Sequence, residues 1–255
     1  MSNAANQKRL PLAGLRTLLR LAEGRGQMMA REAVVLAREE TERGEIALRR
    51  RAGVDGQSIY EIIFNGVFLM ASTNAPSARQ LACLALKPLA GREGLRILIG
   101  GLGMGYTLQA ALEHSAVARV EVVEVEPLIV EWASAFFGPL NGDALADKRV
   151  QVVVGDLARY LETATGPYDA ILLDIDNGPT WLVLEGNAAL YGRVALERMQ
   201  ALLTADGVLA VWAAERAPGF LAELERTFTW ADEVIVGERD DEGRETGYFI
   251  YCAGK

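Results

Sequence analysis

Gly101, Gly103 and Gly105 lie in the stretch RILIGGLGMGYTLQAAL, between an apolar run and a helix-like pattern. Three alternate residues without Cβ atoms let backbone come close to a ligand, and a helix beginning near Tyr106 would aim unpaired N–H groups at the same point. The pattern G-x-G-x-G misses the dinucleotide fingerprint, whose third glycine would fall at Tyr106, and it lacks the Lys-Ser/Thr pair of a P-loop. Glu124, in VEVVEVE, follows by roughly 20 residues, the separation at which a carboxylate accepts from ribose hydroxyls. Asp156, in VVVGDLARY with Leu157 beside it, ends a third apolar run and could accept from an adenine amino group. Either acid alone would most often be a helix cap or a solvated loop residue. Three consecutive run ends of fitting chemistry favour a nucleoside. A fourth, Asp174-Ile175-Asp176-Asn177-Gly178-Pro179, brings two carboxylates that share a face only if an extended segment runs that far, and the residues from Asp176 suit a turn.

Those residues need a frame. The runs LRILIGG, TLQAALEH, RVEVVEVE, PLIVEWASAFF, VQVVVGD, LARYLETA, YDAILLDID, YGRVALERMQALL, GVLAVWAA and FLAELERTF alternate between strand-like and helix-like patterns. The alternation predicts an α/β domain, a mostly parallel sheet with helices on both faces, whose ligand lies beyond the carboxyl ends of the strands where strand order reverses. DEVIVGER and YFIYCA, separated by DDEGRETG, predict a closing antiparallel hairpin. Upstream, EIALRRR, SIYEIIF and VFLMAS predict a small antiparallel element with Asn65-Gly66 as a tight turn. Leu10 to about Glu42 reads as amphipathic helices broken near Gly24 and Gly26. The expected division is 1–75, helices plus the small β element, and 76–255, the main domain. Ser72 to Gln80 and Asn177 to Tyr191 are expected to be loops, and His114 to end a helix.

Composition narrows the partners. At 255 residues the chain can bury one large α/β core without a metal or disulfide. A net charge of -8 would repel a polyphosphate backbone, which argues against nucleic acid and for cationic small molecules. No apolar stretch approaches the roughly 20 residues of a bilayer span, so no membrane partner is expected. Cys83 and Cys252 stand singly in apolar contexts, which predicts buried free thiols in a reducing, cytoplasmic setting. Met1 to Asn6 carries no secretory pattern, and its SNA resembles a cloning remnant.

In order, ILIGGLGMG, VEVVEVE, VVVGD and YDAILLDIDNGP resemble the motifs of the S-adenosylmethionine-binding transferases; with the preceding FNGVFLMAS they resemble, more narrowly, the spermidine synthase family of aminopropyltransferases. The resemblance implies a Rossmann-like class I methyltransferase fold: a mostly parallel seven-stranded sheet with an antiparallel last strand, after a small helical and β-hairpin extension. It implies that Gly101, Gly103, Met104, Gly105, Glu124, Asp156, Leu157 and Asp174 hold the sulfonium cofactor. Asp174 and Asp176 become the catalytic acids and Asn177 part of the acceptor side, with no metal; Trp181 and Tyr191, just beyond that loop, could wall the acceptor site or belong to the core. A homodimer is expected.

Two departures bear on the reaction. Met104 stands where the family has an acid that holds the ammonium of decarboxylated S-adenosylmethionine, and Asn177 stands at the second acid of the amine site. A neutral residue at 104 would admit the carboxylate of ordinary S-adenosylmethionine, unless Met104 only fills a gap. Methyl transfer to a small acceptor, a polyamine or other amine, therefore leads. Aminopropyl transfer from the decarboxylated cofactor is the alternative, and a non-catalytic adenosyl-binding or assembly protein the second.

Overall fold

A computed structural model describes residues 33–73, 75–239 and 245–255. The chain divides between Ala71 and Ser72 into two compact units. In the first, β1 (Val34–Thr41), β2 (Gly44–Ala52), β3 (Ser58–Phe64) and β4 (Val67–Ala71) form an antiparallel sheet in chain order. Asn65 and Gly66 make the β3–β4 turn with φ of 48° and 76°, as the Asn-Gly pair predicts. The helical expectation for Leu10 to Glu42 fails where it can be followed, because β1 occupies its last part. Val34, Val35 and Thr41 are β-branched, and the turn before Gly44 folds β1 back onto β2, so pairing overrides a three-and-four apolar spacing. The remainder of that expectation, with Gly24 and Gly26, lies outside the described residues.

The second unit carries a seven-stranded sheet in the order β10-β11-β9-β8-β5-β6-β7. Its strands are β5 (Leu95–Gly100), β6 (Val117–Glu124), β7 (Val150–Val154), β8 (Tyr168–Leu173), β9 (Leu203–Ala213), β10 (Trp230–Arg239) and β11 (Glu245–Gly254). The pairs from β9 through β7 are parallel, and β11 runs antiparallel between β9 and β10. Every residue of β8 and all but Arg96 of β5 are buried, which is why these strands read as unbroken apolar runs.

The helices are α1 (Ala75–Leu86), α2 (Tyr106–Glu113), α3 (Pro127–Trp132), α4 (Gly138–Asn141), α5 (Leu157–Thr163), α6 (Arg193–Leu202) and α7 (Pro218–Thr227). A π-helical turn, Ala133–Phe137, joins α3 to α4, and a 3-10 segment, Glu185–Tyr191, lies within the expected loop before α6. Helix α1 corrects the expectation of a loop from Ser72 to Gln80. Ala78, Leu81, Ala82, Ala85 and Leu86 already repeat at helical spacing and are buried on one face. His114 is the C-cap of α2, as expected. Cys252 is buried but Cys83 is exposed on α1, contrary to the expectation for both thiols.

Candidate active site

Strand order reverses at β5, which has β6 on one side and β8 on the other. The crevice beyond their carboxyl ends is where an open α/β sheet binds its ligand. The two strand ends are tied there: the Asp174 N–H donates to the Gly100 carbonyl at 2.8 Å, and the Gly101 N–H to the Val123 carbonyl at 2.8 Å. Gly101 has φ of 87°, and a Cβ on it would stand 2.1 Å from the Asp174 carbonyl oxygen. Only glycine lets the loop after β5 pass this close to the end of β8.

Glu124 fixes the loop from beneath. Its Oε2 accepts the Leu102 N–H at 2.8 Å and its Oε1 the Glu126 N–H at 2.8 Å, with a further contribution from the Gly103 N–H. Burial raises its pKa, and the three N–H groups work against that rise. A carboxylate offers about four acceptor positions, so one rather than two remains for an incoming hydroxyl. Asn141 braces the loop from the other side, its Nδ2 donating to the Met104 carbonyl at 2.8 Å. Sequence reasoning missed Asn141 because the contact spans 37 positions.

Met104 points into the core with no exposed surface. This burial fits the gap-filling alternative for Met104 and weakens the ground for preferring a carboxylated cofactor. The expected result of Met104→Leu is accordingly no change in cofactor preference, with affinities for the two cofactor forms each within about twofold by calorimetric titration. Asp156 is exposed and caps α5, accepting the Arg159 N–H at 3.0 Å, and the Leu157 side chain is buried against Gly100. What this pair offers a ligand is the free Asp156 oxygen and the first N–H groups of α5.

Asp174 follows β8 directly. Its Oδ2 lies 2.6 Å from the Thr107 hydroxyl on α2, and desolvation raises its pKa above the ordinary carboxylate value. Among the described residues it makes no ion pair. Asp176 is not its twin. The strand stops at Leu173, and Asp176 takes φ of 52°, so the alternation that would put both acids on one face is broken. The Asp176 carboxylate turns into the following loop, accepting from the Val183 and Leu184 N–H groups at 3.2 Å each and from Asn187 Nδ2 at 2.7 Å. It holds the loop in shape. Asp176→Asn keeps the left-handed backbone but sets an amide against the Asn187 amide; the expected result is a rise of about tenfold in the acceptor KM with a smaller change in kcat, read from steady-state kinetics.

Around that loop, Asn177 is buried, its carbonyl accepts the Ala214 N–H at 3.0 Å, and its Nδ2 has no hydrogen-bond partner. The Tyr191 hydroxyl donates to the Ile175 carbonyl at 3.1 Å, and its ring meets Phe220 edge-on at 5.7 Å. Tyr191 is thus mostly core, with its hydroxyl near the acids. Trp181 remains 46% exposed, too open to wall off a site. Tyr191 also lines an open pocket of about 530 Å³ with Pro179, Thr180, Arg193, Phe220 and Glu223.

The glycine loop, Glu124, Asp156 and Asp174 all fall within residues 84–217, which match the spermine/spermidine synthase domain model. The chain belongs to that family. It is 27% identical over 179 residues to polyamine aminopropyltransferase 1 of Streptomyces coelicolor, covering 69% of this chain and 32% of the relative. It is 35% identical over 80 residues to putrescine N-methyltransferase 3 of Nicotiana tabacum, covering 31% of this chain and 21% of the relative. The matched stretches thus span a third or less of these curated relatives. The crystal structure of spermidine synthase from Thermotoga maritima superposes with a TM-score of 0.70 at 17% identity, covering 87% of this chain and 72% of that one, so the two share a fold.

Proposed function

We propose that the chain transfers an aminopropyl group from decarboxylated S-adenosylmethionine to a small primary amine. The observation that carries this reading is Asp174, a carboxyl group with no cationic partner among the described residues, set beside the glycine loop at the strand switch point. A ligand that brings positive charge to the crevice supplies that partner. Bare backbone at Gly101 and Gly105 suits the adenosyl part, since a Cβ at either would collide with the Asp174 carbonyl or with Asn141. With the cofactor bound, the sulfonium supplies an activated carbon: the amine nitrogen bonds to it as the C–S bond breaks, and the electron pair leaves on sulfur as a neutral thioether.

Asp174 accepts a hydrogen bond from the amine and takes its surplus proton, which frees the lone pair for attack. The glycine loop and the Asp176-braced loop hold the partners in line, which is the larger part of the rate enhancement in a displacement at carbon. A second reading, methyl transfer from ordinary S-adenosylmethionine, is favoured by Asn177 and by the engaged Asp176, which leave Asp174 as the acid of the 174–177 segment that is free to meet an amine. The test is incubation of the protein with putrescine and each cofactor, with products separated by mass spectrometry. Aminopropylated product from the decarboxylated cofactor supports the proposal. N-methylated product alone overturns it in favour of the second reading.

A further inference from the structure

Thr107 Oγ stands 2.6 Å from Asp174 Oδ2 and 3.0 Å from the Ala78 carbonyl oxygen on α1. A hydroxyl has one proton to donate, yet two acceptors face this one. Two arrangements bear on the charge of Asp174. With Asp174 ionised, Thr107 donates to it and leaves Ala78. With Asp174 protonated, Asp174 donates to Thr107, and Thr107 donates onward to Ala78, so both short contacts are hydrogen bonds at once. Leaving Ala78 costs little, because the α-helical pattern already gives its carbonyl the N–H of Ala82. The hydroxyl is therefore free to turn.

We propose that Thr107 is a positioning residue whose hydroxyl accepts from Asp174 while burial keeps that acid neutral, and turns to donate to it as a carboxylate when a cationic ligand arrives. The groups facing Asp174 agree with this. From α2 there is Thr107, and from the end of β5 the Gly100 carbonyl, which takes the Asp174 N–H. The loop after β8 contributes the Tyr191 phenol and the Asp176 carboxyl. Neither is a cation, and burial keeps the phenol protonated. Among the described residues no cation balances a negative charge on Asp174, which leaves the Thr107 dipole and the incoming ligand. On binding, the O–H bond of Asp174 breaks, its proton passes to solvent, and the Thr107 proton swings from Ala78 to Asp174. The device makes the site selective for cations over neutral nucleosides.

The inference rests on the adenosyl-cation reading of the site, and its test separates the two. Decarboxylated S-adenosylmethionine and the neutral thioether 5′-methylthioadenosine are titrated into the full chain by calorimetry, in buffers of different ionisation enthalpy, from acidic to neutral pH. The expected result is release of close to one proton with the cation and none with the thioether, and no release from Asp174→Asn. Thr107→Val moves the pH window of release upward by about one unit and weakens cation binding about tenfold at neutral pH, because the carboxylate loses its donor. Thr107→Ser restores both. Equal proton release with the two ligands, or an unchanged window in Thr107→Val, overturns the role of Thr107 while leaving the adenosyl site intact. Failure of both ligands to bind overturns the site reading and the inference together.

Discussion

Replacing Asp174 with asparagine is expected to lower kcat/KM by about a thousandfold, within the 10²–10⁴ range of a positioned general base, and at the same time to raise thermal stability. The loss follows because the amide cannot take the amine's proton. The gain has a different origin. Burial raises the Asp174 pKa above its unfolded value, so the folded state binds the proton more tightly than the unfolded chain does. Stability from this group is present below the unfolded pKa and is lost as pH rises toward the folded one. Asparagine keeps the size, donates to Thr107 as the neutral acid does, and carries no such cost at neutral pH. The unfolding temperature is expected to rise by roughly 2–4 °C per kcal/mol released, read by calorimetry at two pH values. In acid, where the wild-type carboxyl is protonated, the difference closes. Equal unfolding temperatures at neutral pH would show that burial does not strain Asp174, and activity within tenfold of wild type would show that it is not the base.

Gly101→Ala is expected to destroy the site outright. The alanine must adopt φ near 87° and place its Cβ 2.1 Å from the Asp174 carbonyl oxygen and 3.0 Å from Ile175 Cγ2. The obstacle is backbone, so no rotamer change relieves it. The ends of β5 and β8 are joined by the Asp174 N–H bond to Gly100 and must separate. A destabilisation on the order of 2–4 kcal/mol follows from overpacking plus a left-handed alanine, with cofactor binding reduced beyond a hundredfold. Gly155→Ala is the control, since a Cβ there has no atom within 4 Å and no positive φ to adopt. Its unfolding free energy should stay within about 0.5 kcal/mol of wild type. Comparable losses from the two variants would mean that the close approach at Gly101 is not what shapes the crevice.

The features legible in the sequence are those whose physics is local. Asn65-Gly66 announces its turn because two adjacent residues tolerate positive φ, and β5 and β8 announce themselves because burial on both faces demands an unbroken apolar run. Asp174 stands out because it ends such a run. The misread elements depend on partners far along the chain. Val34–Thr41 has helical spacing, yet β2 captures it as a strand. Met104 occupies a site-like position, but its direction is set by packing that no spacing reveals. The chemistry of Asp176 suits a second catalytic acid, and its loop partners, Val183, Leu184 and Asn187, become visible only when the loop is folded. Thr107 carries no signal of its own; it matters because α1 and the end of β8 converge on its hydroxyl.

The strand order has a kinetic consequence. Strand β11 lies between β9 and β10 although it follows both in the chain, so β10 has no partner until β11 has been made and inserted. A growing chain that has completed β9 presents an open apolar sheet edge, with β10 waiting beside it unpaired. Such an edge is the surface that recruits holding chaperones and invites strand exchange between copies. The order of the strands in the sheet thus differs from the order of their synthesis: the last strand made is the one that joins β10 to the rest.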